Sequence, residues 1–589
     1  MIVAMQKITL LVTEKSLTQS LHKLRSLGLV HIRHLQQPSA EGIVSLEHRL
    51  RRVEKVLDII GNVRTERRML KEEEISQSIK EILSLDSARK NLKVRLQELN
   101  SRLAWFEEWG DVSGHSFLRL ETKGVFIRLF RCSRDQWKKI PEEKMAYIIK
   151  EKGQDLLCAM VTRDSEEPVP GERTALPPGD IHQVRSKIDL TRGALDTIEK
   201  WLKTLCGCKG CFEKYRQSLL KRKEMFQVRF GMKHEPGFSC LQGYCPKEDV
   251  EKIRACAEEQ GWGLGIETPD EPEEVPTLVR TPAWLKIIEP VFKFMGTVPG
   301  YKEFDISFWF LSFLSLFFAM LIGDAGYGLI FLGLTLWARR KFSAAPQQPF
   351  TLIYVFSSAT IIWGTLSGTW FGVEQIARLP LFRDLIIPRL SSFPGDEKFV
   401  MFFCFLIGAI HLTIAHALLG LRRINSLKAL AQAGWIMITW AVFYVAGLLV
   451  LGNPFPDFAR YLLFAGMGLV LLFSNFQKNI LKGILVSMAN LPLAVISSFA
   501  DTLSYLRLYA VGLATVMVAV SFNNMAMQVG FNSILSGFLS AVILFFGHAL
   551  NLVLGLMSVL VHGIRLNMLE FSGHMDMEWS GKEYKPFKE

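Results

Sequence analysis

The sequence predicts a mostly α-helical membrane protein in two unlike halves: a cytoplasmic antiparallel coiled-coil arm with two small α/β lobes, followed by an eight-helix transmembrane domain whose two C-terminal helices are long and tilted. Three observations lead there. Residues 1–290 are rich in charge and carry heptad-like apolar spacing. From residue 306 onward the chain holds repeated apolar runs of roughly 18 or more residues, long enough to span a bilayer. Inside the last two of those runs lie two arginines, Arg507 and Arg565.

At 589 residues the chain has room for several domains, and a mean hydropathy of +0.21 averages two different halves. Its net charge of +12 needs no nucleic acid, because cytoplasmic loops of membrane proteins collect lysine and arginine. The first ten residues, Met1 to Leu10, lack the basic-then-apolar order of a cleavable signal, so the N-terminal half is expected to stay in the cytoplasm. Nine cysteines suit that reduced compartment. Cys206, Cys208 and Cys211 cluster, with Cys240 and Cys245 further on, but no histidine pair or second Cys-x-x-Cys joins them. Free thiols are the expected state, with no metal and no cofactor.

In chain order, Met5–Thr13 reads as a strand, Lys15–Leu27 as an amphipathic helix and Leu29–His34 as a second strand. The same βαβ order returns as a strand over Phe238–Cys245, a helix over Lys247–Gln260 and a strand over Gly263–Ile266. These two pieces (1–40 and 234–268) are expected to pair into a proximal lobe. Between them, Leu46, Leu50, Val53, Leu57 and Ile60 form one helical seam and Leu92, Leu96, Leu99, Leu103 and Phe106 another. The return arm repeats the spacing at Ile181, Val184, Ile188, Leu195, Ile198 and Leu202. Arms over 43–110 and 180–232, with a distal lobe over 111–179 containing strands at 124–131 and 155–162, give an antiparallel hairpin. Such an arm binds partners and offers no catalytic pocket. No phosphate loop, dinucleotide fingerprint or H-E-x-x-H is present, so any nucleotide chemistry belongs to another subunit. The acidic, proline-rich Pro269–Pro276 opens a linker over 269–305 and marks a hinge.

Over 306–589 eight apolar segments are expected: 306–323, 325–338, 350–373, 399–421, 429–452, 458–476, 490–527 and 533–571. The second is short and pairs with the first as a tight hairpin. An even count returns the C-terminus to the cytoplasm. Arg339, Arg340, Lys341, Arg422, Arg423, Lys428, Lys478 and Lys482 fall on that side, against Arg460 alone in the short outside loops. The last two segments exceed a perpendicular crossing, which strong tilt or protrusion into the cytoplasm resolves.

An arginine at the middle of a membrane helix costs at least about 2.5 kcal/mol and cannot escape by losing its proton. Arg507 is therefore a functional residue first, since the bilayer core of this sequence offers it no obvious carboxylate partner. By three- and four-residue steps His548, Asn551, Gly555, Ser558, His562 and Arg565 share one face of the final helix; Ser504 sits one turn before Arg507 on its neighbour. That polar stripe either hydrates a path or bonds adjacent helices. Asp324, in Gly323–Gly328, marks a helix-hairpin turn. His411, His416 and Gln432 line a vestibule or make buried hydrogen bonds, and Gly364, Gly368 and Gly372 permit close helix packing.

Lys7–Leu10, Leu241–Pro246, Val275–Leu278, Gly300–Asp305, Gly323–Gly328 and Trp370–Gly372 span the chain. Two stronger motifs are Ser504-Tyr-Leu-Arg-Leu508, and Gly547-His-Ala-Leu-Asn551 running on to His562-Gly-Ile-Arg-Leu566. Through these the whole chain resembles the a subunit, called subunit I in bacteria and archaea, of rotary V/A-type ATPases. The resemblance implies a non-catalytic stator subunit in a prokaryotic plasma membrane with both termini cytoplasmic. Its arm would dock on peripheral-stalk E/G-type and central-stalk d/C-type subunits, its membrane domain against a proteolipid c/K ring. It further implies that Arg507 and Arg565 face the ring carboxylates and that His562 stands where relatives carry His or Gln; Ser504, Ser558 and Asn551, on the polar faces beside them, are expected along the ion path. Some relatives carry an acid ten positions before the second arginine, where this chain has Gly555, so the half-channel carboxylate is sought at Glu570 or Asp501. A ring carboxylate is neutral in lipid and ionises beside a fixed guanidinium, releasing H⁺ or Na⁺ into one half-channel.

The rival class is a stand-alone secondary cation transporter with a cytoplasmic regulatory domain. Its inverted repeats and broken helices are not evident here. A membrane-tethered scaffold leaves both arginines unexplained.

Overall fold

The computed structural model describes residues 1–588 except 62–71, 142, 165–166, 207–208, 272, 378, 392–395 and 476–479. The cysteine cluster falls partly outside the described residues, at Cys208. The chain divides into two compact units, one of residues 1–12, 22–33 and 242–588, the other of 13–21 and 34–241.

The second unit is a helical arm with a sheet. Helix Glu41–Ile60 runs antiparallel to Lys209–Phe230, as the crossed ion pairs Glu54–Arg216 and Glu47–Lys223 record. Ten of the sixteen expected seam residues are buried, and the other six, Leu50, Leu92 and Leu103 among them, are half-buried. Leu46, Val53, Val56 and Ile60 pack with Ile75, Ile79 and Ile82 of Glu72–Trp109, Leu202 of Ile181–Cys206, and Phe212, Tyr215 and Leu219. Further along, Leu99 and Phe106 meet Ile181, Val184 and Ile188. Trp105 and Trp109 of the same helix cover Leu129 and Leu157 of an antiparallel sheet. That sheet orders Ala146–Lys152, Asp155–Thr162, Phe126–Ser133 and Glu172–Arg173.

In the first unit, the two βαβ pieces meet. Met5–Thr13 pairs antiparallel with Gly263–Glu267, Lys7 opposite Glu267, and His31–Arg33 pairs antiparallel with residues 242–244 of Phe238–Pro246. Bounds agree with the sequence reading to within three residues. The region after the lobe is ordered in a way that composition did not foretell: Pro276–Thr277 pairs in parallel with Lys582–Glu583, close to the C-terminus. Beyond that strand the tail lies on the lobe. The Phe587 N–H donates to Val30 O (2.8 Å), the Tyr584 hydroxyl to Leu29 O (2.6 Å), and the Arg25 guanidinium sits over the Phe587 ring. Met5, Tyr244 and Val275, with Tyr584 against them, close a small core there.

The expected apolar segments are helical: Ser307–Ile322, Ala325–Lys341, Gln347–Ser367, Glu397–Arg422, Lys428–Leu451, Asp457–Phe473, Lys482–Val529 and Ile534–Phe571. Among the described residues five of them are long and apolar enough to cross a membrane; Asp457–Phe473, at 17 residues, is not. The first two are bent by 118° and form one broken span or a re-entrant hairpin. Asp324 makes that bend. It caps Ala325–Lys341, accepting from Gly326 N (2.8 Å) and Tyr327 N (3.3 Å), and its carboxylate also takes the N–H groups of Phe371 (2.9 Å) and Gly372 (3.0 Å). A Cβ at Gly364 would lie 2.1 Å from Ala325 N, so the glycine stretch is there for close packing.

Candidate functional site

Lys482–Val529 contains two helices that meet at Tyr505, and Arg507 follows that joint directly. Its Nε donates to Ser504 O (3.0 Å), which turns the guanidinium toward the final helix. There its Nη2 lies 2.7 Å from Oε1 of Glu570, an ion pair with a carboxylate side chain only 3% exposed. The expectation that Arg507 has no carboxylate partner in its own chain is overturned. The residues lie 63 positions apart, and only the packing of the last two helices joins them. Arg565 extends its Nε to within 3.7 Å of the same oxygen and is 54% exposed. Oε2 of Glu570 is buried without a hydrogen-bond partner among the described residues. One carboxylate thus serves two cations with one oxygen and holds the other bare.

The polar face expected along the final helix holds in part: His548, Asn551, Gly555 and Ser558 share one regular α-helix, Ile534–Ser558, and the π-helical segment Val559–Gly563 breaks the spacing before Arg565. A second such segment, Leu566–Phe571, follows. Each wide turn slips the residues after it around the axis. Asn551 and Gly555 are buried, Ser558 and His562 half-buried, and Arg565 exposed. Asn551 donates to Thr515 O (2.8 Å) and to the Tyr327 hydroxyl (2.9 Å), which also contacts His548 Nδ1 (2.8 Å). His548 Nε2 reaches Asn523 (3.1 Å), so this group knits three helical segments together by buried hydrogen bonds. Ser504 and Ser558 bond back to the carbonyls of Ala500 and Leu554, four residues earlier. His562 Nδ1 is buried without a partner among the described residues. A Cβ at Gly555 would lie 2.8 Å from Ile322, so an acid there would enter a helix–helix contact.

A second polar group lies one turn past Glu570. Asp501 Oδ2 is 3.1 Å from His574 Nε2, His574 Nδ1 is 3.0 Å from His416 Nε2, and His416 Nδ1 is 2.9 Å from Gln432 Oε1. They line a cavity of about 460 Å³ together with Leu419, Trp435 and Ser498. His416 and Gln432 thus do line a vestibule. His411 does not: it is fully buried, stacked between Phe313 and Phe571, with Nδ1 on the Tyr505 hydroxyl (2.8 Å). Sequence reasoning missed His574, because a histidine just past the apolar run reads as a loop residue. Its spacing of four from Glu570 was the available signal.

A polytopic helical membrane protein with paired charges between its last two helices is the class that fold and site define. Over its full length the chain is 29% identical to V-type ATP synthase subunit I 1 of Treponema pallidum (strain Nichols), across 628 residues and 100% of both chains. V-type ATP synthase subunit I of Borreliella burgdorferi is 30% identical over 620 residues, 100% of this chain and 99% of that one. A-type ATP synthase subunit I of Methanocaldococcus jannaschii is 25% identical over 510 residues, 79% of this chain and 71% of that one. No family model matches the chain. The chain belongs to the subunit I family of V/A-type ATP synthases, and is a membrane-embedded member of a multi-subunit complex.

Proposed function

We propose that this subunit is the non-catalytic stator of ion translocation in its complex. It forms ion half-channels against the proteolipid c/K ring and couples passage of H⁺ or Na⁺ to ATP hydrolysis or synthesis in the soluble head. The observation that carries this reading is the Arg507–Glu570 pair. Arg507 is a permanent cation whose side chain stays 24% exposed, held by one terminal nitrogen and Nε. A ring carboxylate passing that exposed edge is favoured in its ionised form and gives up its ion. When the ring site moves on, Glu570 keeps the guanidinium paired, so that no lone charge is left in the low-dielectric interior. Arg565 supplies a second cation at the same carboxylate. The final helix offers the ring or lipid a broad apolar face, with Phe545, Phe546, Val553, Met557 and Val561 all more than half exposed.

Topology supports the reading. The contact of the N-terminal lobe with the tail at 582–588 supports an even number of membrane crossings. Eight crossings, or six with a re-entrant first hairpin, satisfy this. Arg423 pairs with Asp576 (2.7 Å), which puts the basic 422–428 turn on the side of the tail. By the positive-inside bias that side is the cytoplasm of a prokaryotic cell. The arm then reaches the peripheral-stalk E/G-type and central-stalk d/C-type subunits.

The test is ATP-driven ion uptake by the reconstituted complex. Arg507→Ala or Arg507→Gln abolishes coupled transport while the complex still assembles; near-normal pumping would refute the assignment.

A further inference from the structure

Away from the paired charges, and needing no step of translocation, a second concentration of charge stands on the helix pair Ala325–Lys341 and Gln347–Ser367. From Ala325 to Val373 the chain holds no aspartate or glutamate, yet Arg339, Arg340 and Lys341 follow one another at the end of the first helix. None of the three has a carboxylate partner among the described residues. A helix C-terminus answers only about half a positive charge. Most of the charge at this end of the pair is therefore uncompensated by the protein.

The helical period sets these cations on an apolar track. By three- and four-residue steps Leu329, Leu332, Leu336, Arg339 and Arg340 share one face, all of them exposed except the half-buried Leu332. On the neighbouring helix the Tyr354 ring centre lies 6.0 Å from the Arg339 guanidinium carbon, and the Tyr354 hydroxyl is buried without a hydrogen-bond partner among the described residues. Lys341 turns to the other side of its helix, with Nζ 4.7 Å over the exposed Trp337 ring. An exposed tryptophan beside a snorkelling lysine marks the membrane–water boundary. Arg339 and Arg340 thus stand at headgroup depth, and the leucines run beneath them at acyl-chain depth.

We propose that Arg339 and Arg340 hold the phosphate of one anionic phospholipid, with an acyl chain along Leu336 and Leu329. Charge complementarity selects this occupant. Two guanidinium groups match phosphate oxygens with planar forks, and an anionic lipid brings no ammonium of its own to oppose them. Basic sites between neighbouring membrane helices take such headgroups. Tyr354 adds a hydroxyl donor beside the guanidinium for a further headgroup oxygen. Cations that merely orient the chain in the bilayer require charge alone, and neither the leucine track nor the adjoining tyrosine.

Native mass spectrometry of the full-length subunit in detergent tests this, titrated with dioleoyl phosphatidylglycerol or with dioleoyl phosphatidylcholine of the same chains. The first phosphatidylglycerol should bind roughly tenfold tighter than phosphatidylcholine, as two basic side chains at a headgroup imply. The double variant Arg339→Gln/Arg340→Gln should lose that preference. Arg339→Lys/Arg340→Lys, which keeps the charges and loses the forks, should fall between the two. Arg422→Gln, an exposed cation of another basic turn, should bind like wild type. Glycerol 3-phosphate, a headgroup without chains, should not displace the lipid at millimolar concentration. A wild-type preference near one overturns the site without any variant. Full preference in the double glutamine variant, an equal loss in Arg422→Gln, or displacement by glycerol 3-phosphate would each overturn it as well.

Discussion

Arg507 Nη2 and Glu570 Oε1 stand 2.7 Å apart while the second oxygen of that carboxylate has no partner among the described residues. A buried carboxylate ordinarily fills both oxygens, and leaving one empty costs about 1–3 kcal/mol. The pair is therefore strong enough to hold the guanidinium in place and incomplete enough to accept something more. Both properties suit a charge that must face a moving partner.

Glu570→Gln strips the anion and leaves Arg507 in place. Breaking a buried pair costs roughly 3 kcal/mol, the low end of the usual range, because Arg507 is 24% exposed. Thermal unfolding of the purified complex should show the loss, and transport should fall with it. An unchanged midpoint would mean that the pair contributes nothing to the packing of the last two helices.

Arg507→Lys keeps a charge but not the function. Nε bonds Ser504 O while Nη2 bonds Glu570, a planar fork that one ammonium cannot reproduce. Transport well below wild type in assembled complex is the expected outcome, and full activity would show that charge alone suffices.

Asp324→Ala removes the acceptor for the N–H groups of Gly326, Tyr327, Phe371 and Gly372 at a buried turn. Stranded donors cost about 1 kcal/mol or more each, so the loss is about 4 kcal/mol. The yield of detergent-stable subunit, followed by size exclusion, should collapse. Asp324→Asn, which keeps an oxygen acceptor, should lose less.

Asp86 gives the arm an acid sensitivity. Burial pushes its carboxyl up, but Lys90 and Arg89 on the next turn outweigh this and hold it below the ordinary 3.8. A depressed folded value means that the stabilisation is full above 3.8 and disappears as pH falls through the folded value. Pepsin should cut the Glu72–Trp109 helix of wild type and Asp86→Asn alike at the acid end, and cut the variant faster as pH rises. Equal rates throughout would remove Asp86 from the account.

Local elements were legible because local rules make them. Strands at 5–13 and 155–162 follow from residue type and flanking turns, and buried seam residues such as Leu46, Val53 and Leu202 follow from helical period. What stayed hidden depends on long-range partners or on a change of period. The Lys582–Glu583 strand exists only because Pro276–Thr277 lies beside it. The Arg507–Glu570 pair needs two helices side by side. The stripe from His548 holds through Ser558 and loses its register before Arg565 because the wide turn at Val559–Gly563 alters the period, and no residue type announces such a turn.

The tail contacts also set an order of events during biosynthesis. Val30 and Phe587 are joined by a hydrogen bond, yet the entire membrane region is translated between them. The lobe formed by the earliest residues waits, unsealed, until every hydrophobic segment has been inserted. A chain that stalls or terminates late would expose the Tyr244 and Met5 surface that Tyr584 covers. Chaperones or proteases could read that uncovered patch as the mark of an unfinished polypeptide.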